Sequence, residues 1–333
     1  MSEAGGGRPS SPTPTSTRTS TPTSTPTPTS TSTSRGPGSK ARARLLLVAS
    51  AASFGLMAVL ARLLSTHGGP RFGAGQLTVV RFVVGAAVSL VAFRLRPGLY
   101  RPMNRRLLWT RGLSGGIVVV LYFLALERIP AGEAGMLYNL FPVIATALSI
   151  RTFGERPTIH LAFALVLATA GVVLVLGDGS LALGVGAGEA LAVGAAAFAA
   201  LSAVVIRAMR ATDNAATIFF YFCLGGLPVA LPFALGPWPG SPALWGIALV
   251  MGLAAYAAQV LMTEAYGALS VGEAAVWLQL TPLAQYLLAA LLLGERVSAA
   301  GALGILVGVA GVAYGTALGH RPRAALPQRP NPG

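Results

Sequence analysis

Charge is scarce in this chain. Of its 333 residues only 10% are Asp, Glu, Lys or Arg, as 10 acids against 24 bases. A water-soluble domain carries about 25% charged residues, and so few charges cannot cover the surface of a globule this size. That excludes a soluble enzyme, a nucleic-acid binder and an extracellular module. The net charge of +14 does not restore a nucleic-acid partner, because the bases lie in a tail and between apolar runs, where they orient a membrane protein. Cysteine is nearly absent as well. Cys223 stands alone in an apolar run, so there is no intramolecular disulfide and no Cys/His cluster for zinc. Neither a metal nor a cofactor is expected. No apolar stretch lies within the first 40 residues, which excludes a secretory signal peptide there. The stretch from Pro9 to Ser34 is almost wholly Ser, Thr and Pro. Without an apolar face to bury it should be disordered.

From Leu45 onward apolar residues dominate. A spanning helix needs about 20 of them, and ten such runs can be read: 45–64, 76–95, 107–126, 132–152, 158–177, 188–208, 215–235, 243–264, 272–293 and 297–317. The uncharged stretch 214–263 is divided by the Gly236-Pro237-Trp238-Pro239-Gly240 turn. Ten spans place both chain ends on one side. If that side is cytoplasmic, the inner segments hold Arg94, Arg96, Arg101, Arg105, Arg106, Arg111, Arg151, Arg156, Arg207 and Arg210 besides the tail bases. The outer segments then hold only Arg62, Arg71, Arg128 and Arg296. The excess of inner bases predicts a multi-pass protein of the cytoplasmic membrane with both termini cytoplasmic.

Residues 121–176 align on 261–316 without a gap at a constant shift of 140. Gly132-Glu133-Ala134 matches Gly272-Glu273-Ala274, Pro142 matches Pro282, and Gly154-Glu155-Arg156 matches Gly294-Glu295-Arg296. The same shift pairs Phe82 with Phe222, Gly85 with Gly225 and Gly112-Leu113 with Gly252-Leu253. Each half has five spans, and an odd number forces the halves to enter the membrane in opposite directions. The expected fold is all-α: ten transmembrane helices in two inverted five-helix repeats. The expected organisation is a disordered cytoplasmic tail (1–43), a first repeat (44–178), a second repeat (186–318) and a short basic tail (319–333). Inverted repeats of this kind build secondary transporters, with the substrate site near the midplane between the halves.

The run LQLTPLAQYLLAALLLGERVSAAGALGILVGVAGV in the second half, together with Arg81-Phe82 in the second span, resembles EamA-type transporters of the drug/metabolite transporter superfamily. The resemblance covers about residues 45–317. It implies a central cavity, no enzymatic step, and passage of a small metabolite, amino acid or drug. The Asn139-Leu140-Phe141-Pro142 stretch departs from the Thr-Pro or Ser-Pro usual in that family at this point of the first half.

Ionisable groups inside a membrane are costly and commonly functional. Most here sit at span ends. Glu133 and Glu273 open the fourth and ninth spans, where a carboxylate favours a helix N-terminus. Glu155 and Glu295 lie in tight Gly-Glu-Arg turns and suggest interfacial pairs. Arg81 lies deeper and has Tyr221 as its repeat mate; it either snorkels to the interface or faces the cavity to bind an anionic group. Glu264 ends the eighth span and is the candidate for proton coupling. Tyr256, Gln259 and Thr263 recur at helical spacing, while Tyr138, Asn139, Trp277 and Gln279 cluster near Pro142 and Pro282, which free backbone carbonyls. The expected substrate-binding residues are Asn139, Gln279, Tyr138, Trp277, Tyr256, Gln259 and Arg81. The expected partners are a small-molecule substrate, protons as the coupling ion, and membrane lipids. Gly301, Gly304, Gly308, Gly311 and Gly315 form a small-residue stripe on the last span. It serves either the fifth span or a second subunit in a homodimer.

Two further readings belong to other classes. A lipid or polyprenyl-phosphate flippase would use the same scaffold. An intramembrane serine protease would use Gly112-Leu113-Ser114-Gly115, but Ser114 needs a base within reach, and His67, His160 and His320 all fall at span edges or in tails. Gly184, Gly186 and Gly188 lack the strand and the acidic partner of a nucleotide site.

Overall fold

In a bilayer the backbone of an apolar run must satisfy its own polar groups, and a helix is the only way for a single segment to do so. The computed structural model describes residues 37–66, 71–126, 128–129, 131–155, 157–176, 186–294 and 297–318, and these are helical apart from short connections. The helices are α1 (Pro37–Thr66), α2 (Ala74–Leu95), α3 (Arg105–Leu126), α4 (Ala131–Tyr138), α5 (Phe141–Phe153), α6 (Ile159–Leu176), α7 (Ala187–Met209), α8 (Ala215–Ala230), α9 (Pro242–Ala265), α10 (Val271–Leu278), α11 (Leu280–Leu293) and α12 (Ala299–Leu318). The tail up to residue 36, the segments around His67 and Gly184, and the C-terminal tail with His320 lie outside the described residues, as do Glu127, Arg156, Glu295 and Arg296. Helix α1 begins at Pro37, inside the stretch read from sequence as tail.

Eight helical stretches among the described residues are long and apolar enough to cross a membrane. Helix α3 covers the predicted span 107–126, and α4 with α5 covers 132–152. The predicted spans 132–152 and 272–293 each divide into two, at Asn139-Leu140 and at Gln279. Pro142 and Pro282 have no N–H for the carbonyl four residues back, and the chain answers by tightening. Leu140 N–H bonds the Leu137 carbonyl at 3.2 Å, and Gln279 N–H bonds the Val276 carbonyl at 3.3 Å. Because α4 and α10 have eight residues each, both breaks lie about 12 Å from the nearer helix end. Helices α5 and α11 end alike. Gly154 and Gly294 adopt φ of 63° and 68°, the left-handed conformation that closes a helix and that glycine enters without steric cost.

The duplication is visible in the packing. Under the shift of 140, α1 to α6 correspond to α7 to α12. Helix α1 packs on α9 as α3 packs on α7; α3 packs on α8 as α2 on α9; α1 packs on α11 as α5 on α7. The corresponding helices α6 and α12 pack on each other, as do α2 and α8. Helices α6 and α12 approach backbone to backbone: a Cβ added at Gly171 would run into the backbone of Gly308, and one at Gly311 would come within 2.6 Å of Ala168 N. The glycine stripe of α12 therefore faces α6 at Gly304, Gly311 and Gly315, while Gly308 faces Leu283 of α11 and Gly301 faces the Tyr286 ring.

One pairing is not duplicated. Helix α10 packs on α5 and α6, whereas α4 makes no comparable packing on α11 or α12 among the described residues. On the face where α1 begins, Glu155 Oε2 accepts from Val271 N–H at 3.2 Å, so the loop after α5 caps α10. Ser270 caps the same helix by accepting from Glu273 N–H at 3.1 Å. The carboxylate of Glu273 receives Nε and Nη2 of Arg44 at 3.0 and 2.9 Å, tying α10 to α1. Glu273 thus lies in the first turn of α10, as its position in the sequence predicts. A cavity of about 270 Å³ remains there, lined in part by Lys40, Thr146, Ser149 and Glu155. On the opposite face Trp238 and Trp245 stack at 5.7 Å with Phe72 edge-on to both, an aromatic anchor of the kind found at membrane interfaces.

Candidate functional site

Four helices converge on the ring of Phe222, near the middle of α8. Arg81 lies seven residues into α2 and Arg111 six into α3. Because only residues 96–104 join those helices, the two arginines enter from opposite faces, each about 10 Å deep at 1.5 Å per residue. Their long side chains meet. The guanidinium carbon of Arg111 stands 4.1 Å from the Phe222 ring centre, and that of Arg81 stands 5.6 Å from the centres of both Phe222 and Phe82. The two rings hold each other edge to face at 5.1 Å. Space for the Arg111 head is left by Gly115 one turn on, where a Cβ would collide with Arg111 Nη1 and with Phe222.

The polar surroundings are sparse. Arg111, 4% exposed, donates from Nη2 to Gln259 Oε1 of α9 at 3.3 Å. Arg81 Nη1 reaches Met57 Sδ of α1 at 3.9 Å. The Nε of each arginine is buried without a hydrogen-bond partner. Tyr138, at the end of α4, packs against Tyr122 at 5.1 Å and Phe141 at 5.5 Å. Tyr256 of α9 meets Phe219 edge-on at 5.2 Å, and Phe219 touches Phe222 at 5.9 Å.

Of the residues singled out from sequence, Arg81 and Gln259 thus come together around Arg111 and Phe222, with Tyr256 joined to them through Phe219. The others do not. Asn139 lies beside Tyr138 in the chain, but its Nδ2 donates to the Gly135 carbonyl of its own helix at 2.8 Å. Gln279, fully buried, donates to Thr169 Oγ1 of α6 at 2.7 Å and leaves Oε1 without a partner. Trp277 packs between two apolar clusters, against Leu280 and Leu278 among others. Glu264 stands on the α1-start face, 46% exposed, in an ion pair with Arg210 at 3.0 Å. Arg111, which sequence reasoning counted with the inner bases, is a core residue. Its signal was available: it lies inside a predicted span, where an ionisable group is unexpected.

The arrangement offers no catalytic machinery among the described residues. Ser114 shares a 2.9 Å hydrogen bond with Ser202 and donates to the Arg111 carbonyl at 3.3 Å. His160 Nδ1 meets Tyr314 Oη at 2.8 Å. No group of His, Cys, Asp and Glu able to hold a metal occurs among the described residues.

The members of the central group share one property of sequence. At the shift of 140 their mates are apolar or uncharged: Tyr221 for Arg81, Met251 for Arg111 and Val119 for Gln259. Prolines, helix-ending glycines and crossing points are duplicated, while this polar group is not.

Comparison with known proteins places this geometry. Residues 41–177 and 186–315 each match the model of the EamA-like transporter family. The chain is 25% identical over 223 residues to the pseudopaline exporter CntI of Pseudomonas aeruginosa, in both strain UCBPP-PA14 and strain PAO1. That similarity covers 66% of this chain and 77% of the exporter. A protein of known crystal structure superposes with a TM-score of 0.70 at 22% identity, over 84% of this chain and 98% of that one. With both halves matched, the chain is a multi-pass, non-enzymatic membrane protein that belongs to the EamA-like transporter family of the drug/metabolite transporter superfamily.

Proposed function

We propose that this protein is a secondary transporter that carries a small metabolite across the cytoplasmic membrane by alternating access between two inverted five-helix halves, residues 44–178 and 186–318. The observation that carries the reading is the central polar group. It is assembled from α2 and α3 of one half and α8 and α9 of the other, so a molecule bound there would touch both halves. The exporter relative supports a metabolite as cargo.

The uneven packing of the two broken spans supports the mechanism. On the α1-start face α10 is held against α5 and α1 by Glu155, Glu273 and Arg44. The corresponding approach of α4 to α11 is not made among the described residues. One end closed and its mate apart is what rocking between the halves requires. The charge distribution puts the closed end in the cytoplasm. Arg81, Gln259 and Tyr256 form the binding site in this reading; Asn139, Trp277 and Gln279 hold the broken spans that move around it.

The test uses the purified full-length protein. Thermal stabilisation is screened across amino acids, organic acids, nucleosides and cationic drugs, because a ligand that binds the folded state raises its apparent stability. A stabilising compound is then offered in counterflow to proteoliposomes. Exchange of that compound is the expected result; binding without exchange sinks the transport reading. Orientation is tested by Ser20→Cys, Asn104→Cys, Arg323→Cys and Gly179→Cys in a Cys223→Ser background. Only the cysteine at position 179 should be labelled in intact cells by an impermeant thiol reagent.

A further inference from the structure

Two guanidiniums sit over one phenylalanine ring, their carbons 5.6 and 4.1 Å from its centre, each about a third of the way along its helix. Charges in such a place are normally paired. These are not: among the described residues no carboxylate lies within ion-pair distance of either. Ring faces, one amide oxygen and one thioether receive them instead.

A structural explanation fails on two counts. The fold is duplicated, and its supports recur in both halves, whereas Arg81 and Arg111 correspond to Tyr221 and Met251. A helix packing that works with Tyr and Met in one half does not need Arg in the other. Each arginine also keeps a buried Nε without a partner, so donors are left over after the protein's own contacts are made.

Resting on the transporter reading above, we propose that Arg81 and Arg111 form an anion-binding site whose ligand is a small organic dianion, with its negative charge on carboxylate or phosphate groups. Guanidiniums pair with both through parallel N–H···O bonds. Two charges of one sign call for two of the other, and neutralising them on binding gives the ligand the counter-charge the protein withholds. Gln259 supplies a neutral contact, since it already orients Arg111.

The experiment measures thermal stability of the purified full-length protein and of Arg81→Gln, Arg111→Gln and the double variant. The probes are glutarate, succinate and glycerol 3-phosphate, with glutamine and cadaverine as neutral and cationic controls. A dianion should stabilise the native protein in a saturable way, and the controls should not. Each single variant should weaken that dianion at least about tenfold, and the double variant should abolish its effect. Arg81→Lys, which keeps charge without the planar fork, should fall between native and Gln. Without ligand the double variant should melt at the same temperature as the native protein or higher, because two uncompensated charges have gone; a purely structural pair would lower it. Stabilisation by carboxylates alone or by the phosphate alone fixes which group is bound, and either supports the site. A dianion effect that survives in the double variant overturns the proposal. So does a protein stabilised and exchanged only by neutral or cationic compounds, which leaves the transporter reading intact. A dianion that binds through the arginines but never exchanges keeps the site and removes the transport reading.

Discussion

Two parts of this molecule treat the duplication in opposite ways. Where α6 crosses α12, Gly171, Gly304, Gly308 and Gly311 bring the backbones together. The two helices are repeat mates, and Gly171 and Gly311 occupy corresponding positions. At the centre of α2, α3, α8 and α9 the contacts are polar, and none of Arg81, Arg111 and Gln259 has a polar or charged counterpart except that Arg81 faces the phenol Tyr221 in register. A scaffold that must superpose on itself keeps its crossing residues in both copies. A site that binds one asymmetric molecule has no such constraint.

The largest expected effect is at the crossing. Gly171→Leu places a branched side chain against the backbone of Gly308, which cannot move aside as a side-chain tip can. It should cost more than about 4 kcal/mol and appear as loss of folded protein from the membrane fraction. Gly115→Ala collides with the movable head of Arg111 and the rim of Phe222 instead. It should cost about 1–3 kcal/mol yet weaken ligand binding as much as removal of the arginine, measured by ligand-dependent thermal shift. If Gly115→Ala proved the more destructive of the two for folding, the division into a rigid crossing and an adaptable site would fail.

Smaller effects sharpen the contrast between the two broken spans. Glu273→Gln removes the carboxylate that receives Arg44, whose side chain is 22% exposed. Discounted for that exposure, the expected loss is about 1–2 kcal/mol, with faster labelling of a Ser149→Cys variant as the α10 end opens. Gln279→Leu deletes the bond to Thr169 but also an acceptor that has no partner. Its stability change should stay within about 1 kcal/mol, as should that of Asn139→Leu, and impaired exchange in either would show the breaks taking part in the motion. Glu264→Gln should be smallest, within about 0.5 kcal/mol for so exposed a pair. Uptake should keep its pH dependence. Abolition of pH-driven uptake by this change alone would assign proton coupling to Glu264.

The sequence alone was enough for the all-helical membrane class, the duplication and the family resemblance. Each rests on properties local to the chain: run length against bilayer thickness, a fixed shift carrying Gly-Glu-Arg and proline, and few charges. It also placed Pro142 and Pro282 at special points, because a missing N–H acts within its own helix. What it could not supply is which side chains share a neighbourhood. Asn139 and Gln279 stood out as symmetric amides, but one turns back onto Gly135 and the other onto Thr169. Arg111 looked like one more basic residue near a membrane face, and only the crossing of α3 with α8, with Gly115 leaving room, turns it inward to Phe222. Hydrophobic length and periodicity are read along one helix. A side-chain cluster at the meeting of four is decided by helix rotation and crossing, and those are set by long-range packing that no single segment encodes.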